Sequence, residues 1–222
     1  MSSRFRNFPL IVTAWRLVFT PKQRLSEKGH GFILEKNRQT QYIYLRDKET
    51  GKENMHIKIF TTGGTIDKVY FDEMSAYQVG PPNISSVFEE LKLAFTYTIE
   101  SLMKKDSLEL TDEDRITIVR AVARDASERI LITHGTDTMV QTAKKLADIQ
   151  GKTIVLTGAL KPALFKTTDA VFNIGCAVIA AQTLPPGVYI VMNGCVFTHD
   201  QVRKNRQQGM FETLPSSETG II

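Results

Sequence analysis

Two short stretches carry the residue types that could do chemistry. Residues 60–68 read FTTGGTIDK and residues 132–139 read ITHGTDTM. Each puts a threonine next to glycine at the end of a short apolar, β-branched run. A threonine hydroxyl is a weak nucleophile and needs a base or a tuned neighbour. The chain offers Lys204, Asp137 and Tyr77 as such neighbours of Thr65 and Thr136. Gly64 and the turn at Thr136 add backbone N–H groups of the kind that stabilise an oxyanion. Acyl transfer is the reaction class that uses this set. Two other readings stand beside it. A phosphate cradle fails on spacing, because neither GxxxxGK[ST] nor GxGxxG is present. A plain tight turn explains Gly63 and Gly64, but not a second threonine-bearing turn at another strand end.

Strand-like and helix-like segments alternate along the chain around these residues. Strand-like runs fall at 57–62, 129–134, 153–158 and 188–193, with a weaker one at 95–103. They are nearly continuous in apolar residues, as strands covered on both faces are. Helical stretches fall between them. The stretch at 111–126 opens on Thr111 with Asp114 three residues later, close to a capping box. The stretch at 137–151 ends on Gly151, a good residue just past a helix, and the one at 167–183 stops before Pro185 and Pro186. This alternation predicts an α/β fold of three layers, a mostly parallel sheet flanked by helices. Ligands of such sheets bind outside the carboxyl ends of the strands. The polar segments TTGGT, HGTDTM, TGALKP (157–162) and NGCVFTHDQVRKN (193–205) all fall there.

Charge divides the chain at Met55. Residues 1–54 hold eleven Lys and Arg against five Asp and Glu, a net of +6, while residues 55–222 hold seventeen against nineteen, a net of −2. The basic character therefore belongs to the front segment and not to the body, which argues against nucleic acid as a partner. Residues 1–54 read as a basic extension outside the catalytic fold, a dispensable segment or upstream sequence translated from a misplaced start. They contain an apolar stretch, FPLIVTAWRLVFTP, and a hairpin-like QYIYLRDKETGKEN. Arg16 interrupts the apolar stretch and no clear cleavage site follows, so it makes a poor signal peptide. No apolar run of 18 residues predicts a membrane span. Cys176 and Cys195 suggest no disulfide framework, and the four histidines make no metal-ligand spacing. Neither cofactor nor metal is expected, and the acidic body suggests the cytoplasm.

The motifs TTGGTID, YQVG (77–80), ITHGTDTM, VLTGALKP (155–162), YIVMNG (189–194) and VRK (202–204) occur in family order. Over roughly residues 55–214 they resemble the N-terminal domain of the bacterial-type L-asparaginase/glutaminase family. The resemblance implies a flavodoxin-like fold, a small-molecule amide substrate and a homo-oligomer. It implies that Thr65 attacks the side-chain amide and that Tyr77, on a loop, assists. It implies that Thr136, Asp137 and Lys204 surround the same substrate, with Asp137 meeting the α-ammonium, and that Ser107 holds the α-carboxylate. The products would be aspartate and ammonia, through a covalent acyl-enzyme.

Blander roles exist for each residue. Tyr77 alone is a surface aromatic, Lys204 one of a basic cluster with Arg203 and Arg206, and Ser107 a turn residue. His134 reads as a strand-end hydrogen-bonder rather than a base. Asp169 and Asn173 read as cap and packing of the helix they start.

Two departures from the family's pattern stand out. Leu108 follows Ser107 where the family has a polar residue. Residues 215–222 are a tail where the family continues into a C-terminal domain. These departures support a second expectation, a catalytically weak module that binds a small amino acid or serves as a partner subunit.

Overall fold

The computed structural model describes residues 55–71 and 76–215 and, ahead of them, the backbones of three strands. Those strands are β1 (Arg24–Lys28), β2 (Gly31–Lys36) and β3 (Gln39–Ile43). The apolar stretch at 8–21, all but the first three residues of the hairpin expected at 41–54 and the tail after 215 lie outside the described residues.

From Met55 the order is β4 (His56–Gly63), β5 (Lys68–Phe71), β6 (Ala76–Val79), α1 (Asn83–Glu89), β7 (Thr96–Lys105), α2 (Asp112–Arg124), β8 (Arg129–Thr133) and α3 (Met139–Lys145). Then come β9 (Thr153–Thr157), α4 (Ala170–Thr183), β10 (Gly187–Met192), β11 (Cys195–Thr198), β12 (Val202–Asn205) and β13 (Met210–Thr213). The main sheet runs β1-β2-β3-β7-β4-β8-β9-β10-β11. Its centre, β7-β4-β8-β9-β10, is parallel throughout, in register Ile59 with Ile99 and with Leu131, and Ile130 with Ile154. In chain order those five strands read 2-1-3-4-5, the doubly wound order of the flavodoxin-like fold that the resemblance implies. β3 and β11 join the two sides of this centre antiparallel.

The strand residues alternate between two cores, as the pleat requires. Ile57, Ile59, Leu131 and Val155 face one way and pack with Ile84 and Phe88 of α1 and Ile174 and Ala177 of α4. Phe60, Ile130, Ile132, Ile154 and Leu156 face the other way and pack with Ile118 and Val122 of α2 and Met139 and Ala143 of α3. Each of these side chains larger than alanine contributes about 1.5–3 kcal/mol on burial. This explains why the strands are apolar on both faces.

The helix ends follow local chemistry. Thr111 and Asp114 form the reciprocal capping box, each side chain accepting from the other's backbone amide, at 3.2 and 2.9 Å. α3 is shorter than the sequence pattern. After Lys145 its last turns tighten, with Ala147 N–H on Lys144 O and Ile149 N–H on Leu146 O, before Gly151 turns the chain at φ 74°. The sequence reading missed α1 and the small antiparallel ribbons β5–β6 and β12–β13.

Candidate functional site

The order 2-1-3-4-5 reverses direction between β4 and β8, and there the two threonine-bearing turns meet. β4 ends in Gly63 and Gly64, with φ of 95° and 88°. The second of these is a matter of space as well as conformation. A Cβ on Gly64 would lie 2.4 Å from Gly135 Cα, and one on Gly135 would lie 2.6 Å from Ser107 Cβ. The ends of β4 and β8 therefore touch backbone to backbone, and the Ser107 side chain of the 3-10 turn after β7 (Ser107–Glu109) packs directly on Gly135. Only glycine permits this.

Thr65 follows at once, half-buried, as the first residue of a 3-10 turn, Thr65–Asp67. The bonds that fix the turn lie behind it. Ile66 O accepts from Asn83 Nδ2 at 3.1 Å and from Ala163 N–H at 3.1 Å. Asp67 O accepts from Gly80 N–H, and Asp67 Oδ1 accepts from Asn83 N–H, both at 2.8 Å. Asp67 is 2 % exposed. Burial pushes its carboxyl up to about 7, against the lowering effects of the Asn83 amide and the Lys104 charge.

Across from this turn, Lys204 donates to Thr136 Oγ1 at 2.7 Å and to Asp137 Oδ1 at 2.9 Å. The Lys204 side chain is 13 % exposed. It stands apart from its basic neighbours: Arg203 pairs outward with Glu212 at 2.9 Å, and Arg206 reaches Asp137 only at 3.9 Å. Lys204 reaches the site because β12 is anchored from below. Val202 and Phe211 of the β12–β13 ribbon are buried in the core beside Ile132 and Met139.

The turn at 134–138 is held rigid from inside. His134 is fully buried, its Nδ1 on Gly135 O at 2.7 Å and its Nε2 with Thr142 Oγ1 at 2.8 Å. With Nδ1–H donating, Nε2 accepts from the threonine hydroxyl. Burial holds the ring far below the usual imidazole range, at about 4. A neutral, doubly bonded ring inside the core orients the turn, as the strand-end reading expects.

Ser107 joins the cluster, but from beneath. It is 1 % exposed, its Oγ accepts from Asp137 N–H at 3.2 Å, and its carbonyl accepts from Thr138 Oγ1 at 2.7 Å. It braces the Thr136–Asp137 turn. Leu108, beside it, is 66 % exposed. The Gly64 N–H is committed to Lys105 O at 2.9 Å. This corrects the expectation that Gly64 supplies an oxyanion donor. Its contribution is the missing Cβ, and the turn at Thr136 is left as the source of backbone donors.

Tyr77 sits on the β5–β6 ribbon opposite Tyr70, half-exposed, with the Tyr70 ring edge-on at 5.3 Å and the Phe165 ring edge-on at 5.9 Å. Asp169 and Asn173 do more than start α4. The Asp169 carboxylate turns back to accept the amides of Leu160 and Lys161 at 3.0–3.1 Å. Asn173 donates to Gly158 O at 3.0 Å and accepts from Asn193 N–H at 3.0 Å. Asn193 itself has φ 54°. Together they tie the loop after β9 to the end of β10.

Asp67 is the residue that sequence reasoning passed over. An acid two positions after Thr65, between Ile66 and an apolar ribbon, was the available signal. Among the described residues no group of three His, Cys, Asp or Glu could hold a metal ion. No helix among them is long and apolar enough to cross a membrane.

Fold and site together define a doubly wound α/β domain with a threonine, aspartate and lysine cluster at its switch point. The chain belongs to the asparaginase family: the family model for the asparaginase N-terminal domain matches residues 56–221. It is 33 % identical over 179 residues to a protein of Haemophilus influenzae named probable periplasmic L-asparaginase, covering 75 % of this chain and 51 % of that one. It is 28 % identical over 141 residues to a component of the glutamyl-tRNA(Gln) amidotransferase of Thermoplasma acidophilum, covering 61 % of this chain and 34 % of that one. The solved structure of the thermostable L-asparaginase from Thermococcus kodakarensis superposes with a TM-score of 0.65 at 27 % identity, covering 72 % of this chain and 51 % of that one. The chain spans about half the length of the curated L-asparaginases it matches first.

Proposed function

We propose that this domain is an amidohydrolase for L-asparagine or a related small amide, and that Thr65 is its nucleophile. The observation that carries the reading is Lys204, held 2.7 Å from Thr136 Oγ1 and 2.9 Å from Asp137 at the strand end that packs against the Thr65 turn. In this reading the Thr65 oxygen adds to the amide carbonyl and the proton of its hydroxyl leaves through Tyr77 or the Thr136–Lys204 pair. That proton ends on the amide nitrogen, which departs as ammonia and leaves an ester on Thr65. Water then adds to the ester and restores the hydroxyl, with the carboxylic acid as product. In the same reading Lys204 and the backbone of the Thr136 turn supply the donors for the oxyanion of both steps. Asp137 carries the charge to meet an α-ammonium group. Ser107, buried against the Asp137 amide, positions that carboxylate. Family membership supports the reaction class, and the names of the relatives support asparagine as the amide.

The amidotransferase relative favours a second reading, in which the same amidase chemistry serves as one component of a larger assembly. Ammonia release from L-asparagine and L-glutamine by the full chain, measured beside Thr65→Ala, tests both. Release that disappears in the variant supports a free-standing amidohydrolase. Asparagine-dependent thermal stabilisation without release points to a component that needs its partner. Release that survives Thr65→Ala overturns the nucleophile assignment.

A further inference from the structure

The loop after β9 is built to hold one shape. The Asp169 carboxylate takes the amides of Leu160 and Lys161. Thr168 Oγ1–H donates to Lys161 O at 3.2 Å, Phe165 N–H to Pro162 O at 3.0 Å and Thr168 N–H to Phe165 O at 3.0 Å. Ala163 N–H reaches Ile66 O, inside the turn that begins with Thr65. The loop is thus tied both to its own helix and to the back of the Thr65 turn.

This rigid loop presents an aromatic ring to solvent. Phe165 is 40 % exposed and Leu164 63 % exposed. The Phe165 ring meets the ring of Tyr77 edge-on, with centroids 5.9 Å apart and planes at 61°. Tyr77 meets Tyr70 with the same tilt, centroids 5.3 Å apart. Tyr77 therefore has one ring partner on its own ribbon and one from a different strand end. The ribbon alone could not set its ring against the Thr65 turn, because Tyr70 moves with it. Phe165 is fixed to Ile66 through Ala163 and does not.

We infer that Phe165 is a positioning residue, which sets the Tyr77 ring relative to Thr65 by bracing it from the loop after β9. The inference rests on the proposed role of Tyr77, but the contact itself is tested separately. An edge-to-face pair at a half-exposed site is worth a factor of about 2 to 10 in an equilibrium.

The test uses the full chain labelled with ¹³C on its tyrosine rings, with the Tyr77 resonance assigned through Tyr77→Phe. Phe165→Ala is expected to move the Tyr77 ring resonance and to lower kcat/KM for ammonia release by about 2- to 10-fold. Phe165→Tyr is expected to retain both, because the ring is kept. In a Tyr77→Ala background Phe165→Ala should cost nothing further. A Tyr77 resonance that stays in place in Phe165→Ala overturns the contact. An equal loss with and without Tyr77 overturns the positioning role. If the wild-type chain releases no ammonia, the proposed activity fails and the resonance alone decides: movement sustains the brace and no movement overturns it.

Discussion

Lowering the pH from 7 to 4 should destabilise this fold through His134, in a way that the wild-type chain conceals. His134 is fully buried and neutral, held at about 4 against an ordinary 6.5. An unfolded chain therefore binds a proton that the folded chain refuses between those values. Its contribution to stability is complete above about 6.5 and is lost as the pH falls toward 4. Each pH unit in that window is worth about 1.4 kcal/mol, so the loss is about 3 kcal/mol. Asp67 acts in the opposite sense. Its carboxyl is raised from 3.8 to about 7 by burial. Its contribution is complete below 3.8 and is lost as the pH rises through 7. Between pH 4 and 6.5 the two slopes cancel. Asp67→Asn keeps an oxygen for the Asn83 amide and removes the titration. Urea unfolding followed by circular dichroism, at intervals from pH 4.5 to 8, should then show a nearly flat wild-type profile. The variant should lose about 2–3 kcal/mol on acidification. His56, whose pKa burial also lowers, adds in the same direction. The acids held below their usual range by lysines or amides, such as Asp114 and Asp125, act only below this window. A variant profile that stays flat would refute the claim that His134 is buried and neutral. A variant no more stable than wild type at pH 8 would refute the buried carboxylate.

Gly64→Ala places a Cβ 2.4 Å from Gly135 Cα at a φ of 88°, so it should destabilise the domain by more than about 2 kcal/mol in urea unfolding. A loss under about 1 kcal/mol would mean that the two turns do not pack as described. Lys204→Met should leave the unfolding midpoint nearly unchanged and lower ammonia release by about 100-fold or more. Activity within twofold of wild type would remove Lys204 from the reaction. Thr111→Ala deletes one half of the capping box at the start of α2 and should cost about 1 kcal/mol, seen as a fall of about 2–4 °C in Tm. An unchanged Tm would mean that the helix starts without it.

Local patterning along the chain was enough to specify the layered fold and the sheet edge that carries the candidate site. Four of the five central strands are short apolar runs, and runs of that kind can be satisfied only when covered on both faces, so β4, β8, β9 and β10 were legible within a residue or two, while β7, ten residues long with Glu100, Ser101, Lys104 and Lys105 in it, gave the weaker signal. Thr111 and Asp114 lie within one helical turn of each other, and local bonds of this kind need no tertiary context. The pairs of glycine and threonine at 63–65 and 135–136 marked two strand ends.

The rest depends on partners far apart in the chain that meet only once it is folded. Lys204 looks like any lysine between Arg203 and Arg206 until Val202 and Phe211 anchor its ribbon in the core and bring it 68 positions back to Thr136. The stretch at 193–205 read as a polar loop because each strand in it is four residues long, too short for a period-2 pattern to show. Ser107 is buried as a brace beneath the Asp137 amide, and Gly64 turned from an expected donor into a space for Gly135. Burial and the competing acceptor Lys105 O are properties of the assembled fold. The same holds for Asp67, whose acidity is set by the desolvation that the Asn83 segment and the Thr65 turn impose on it from both sides.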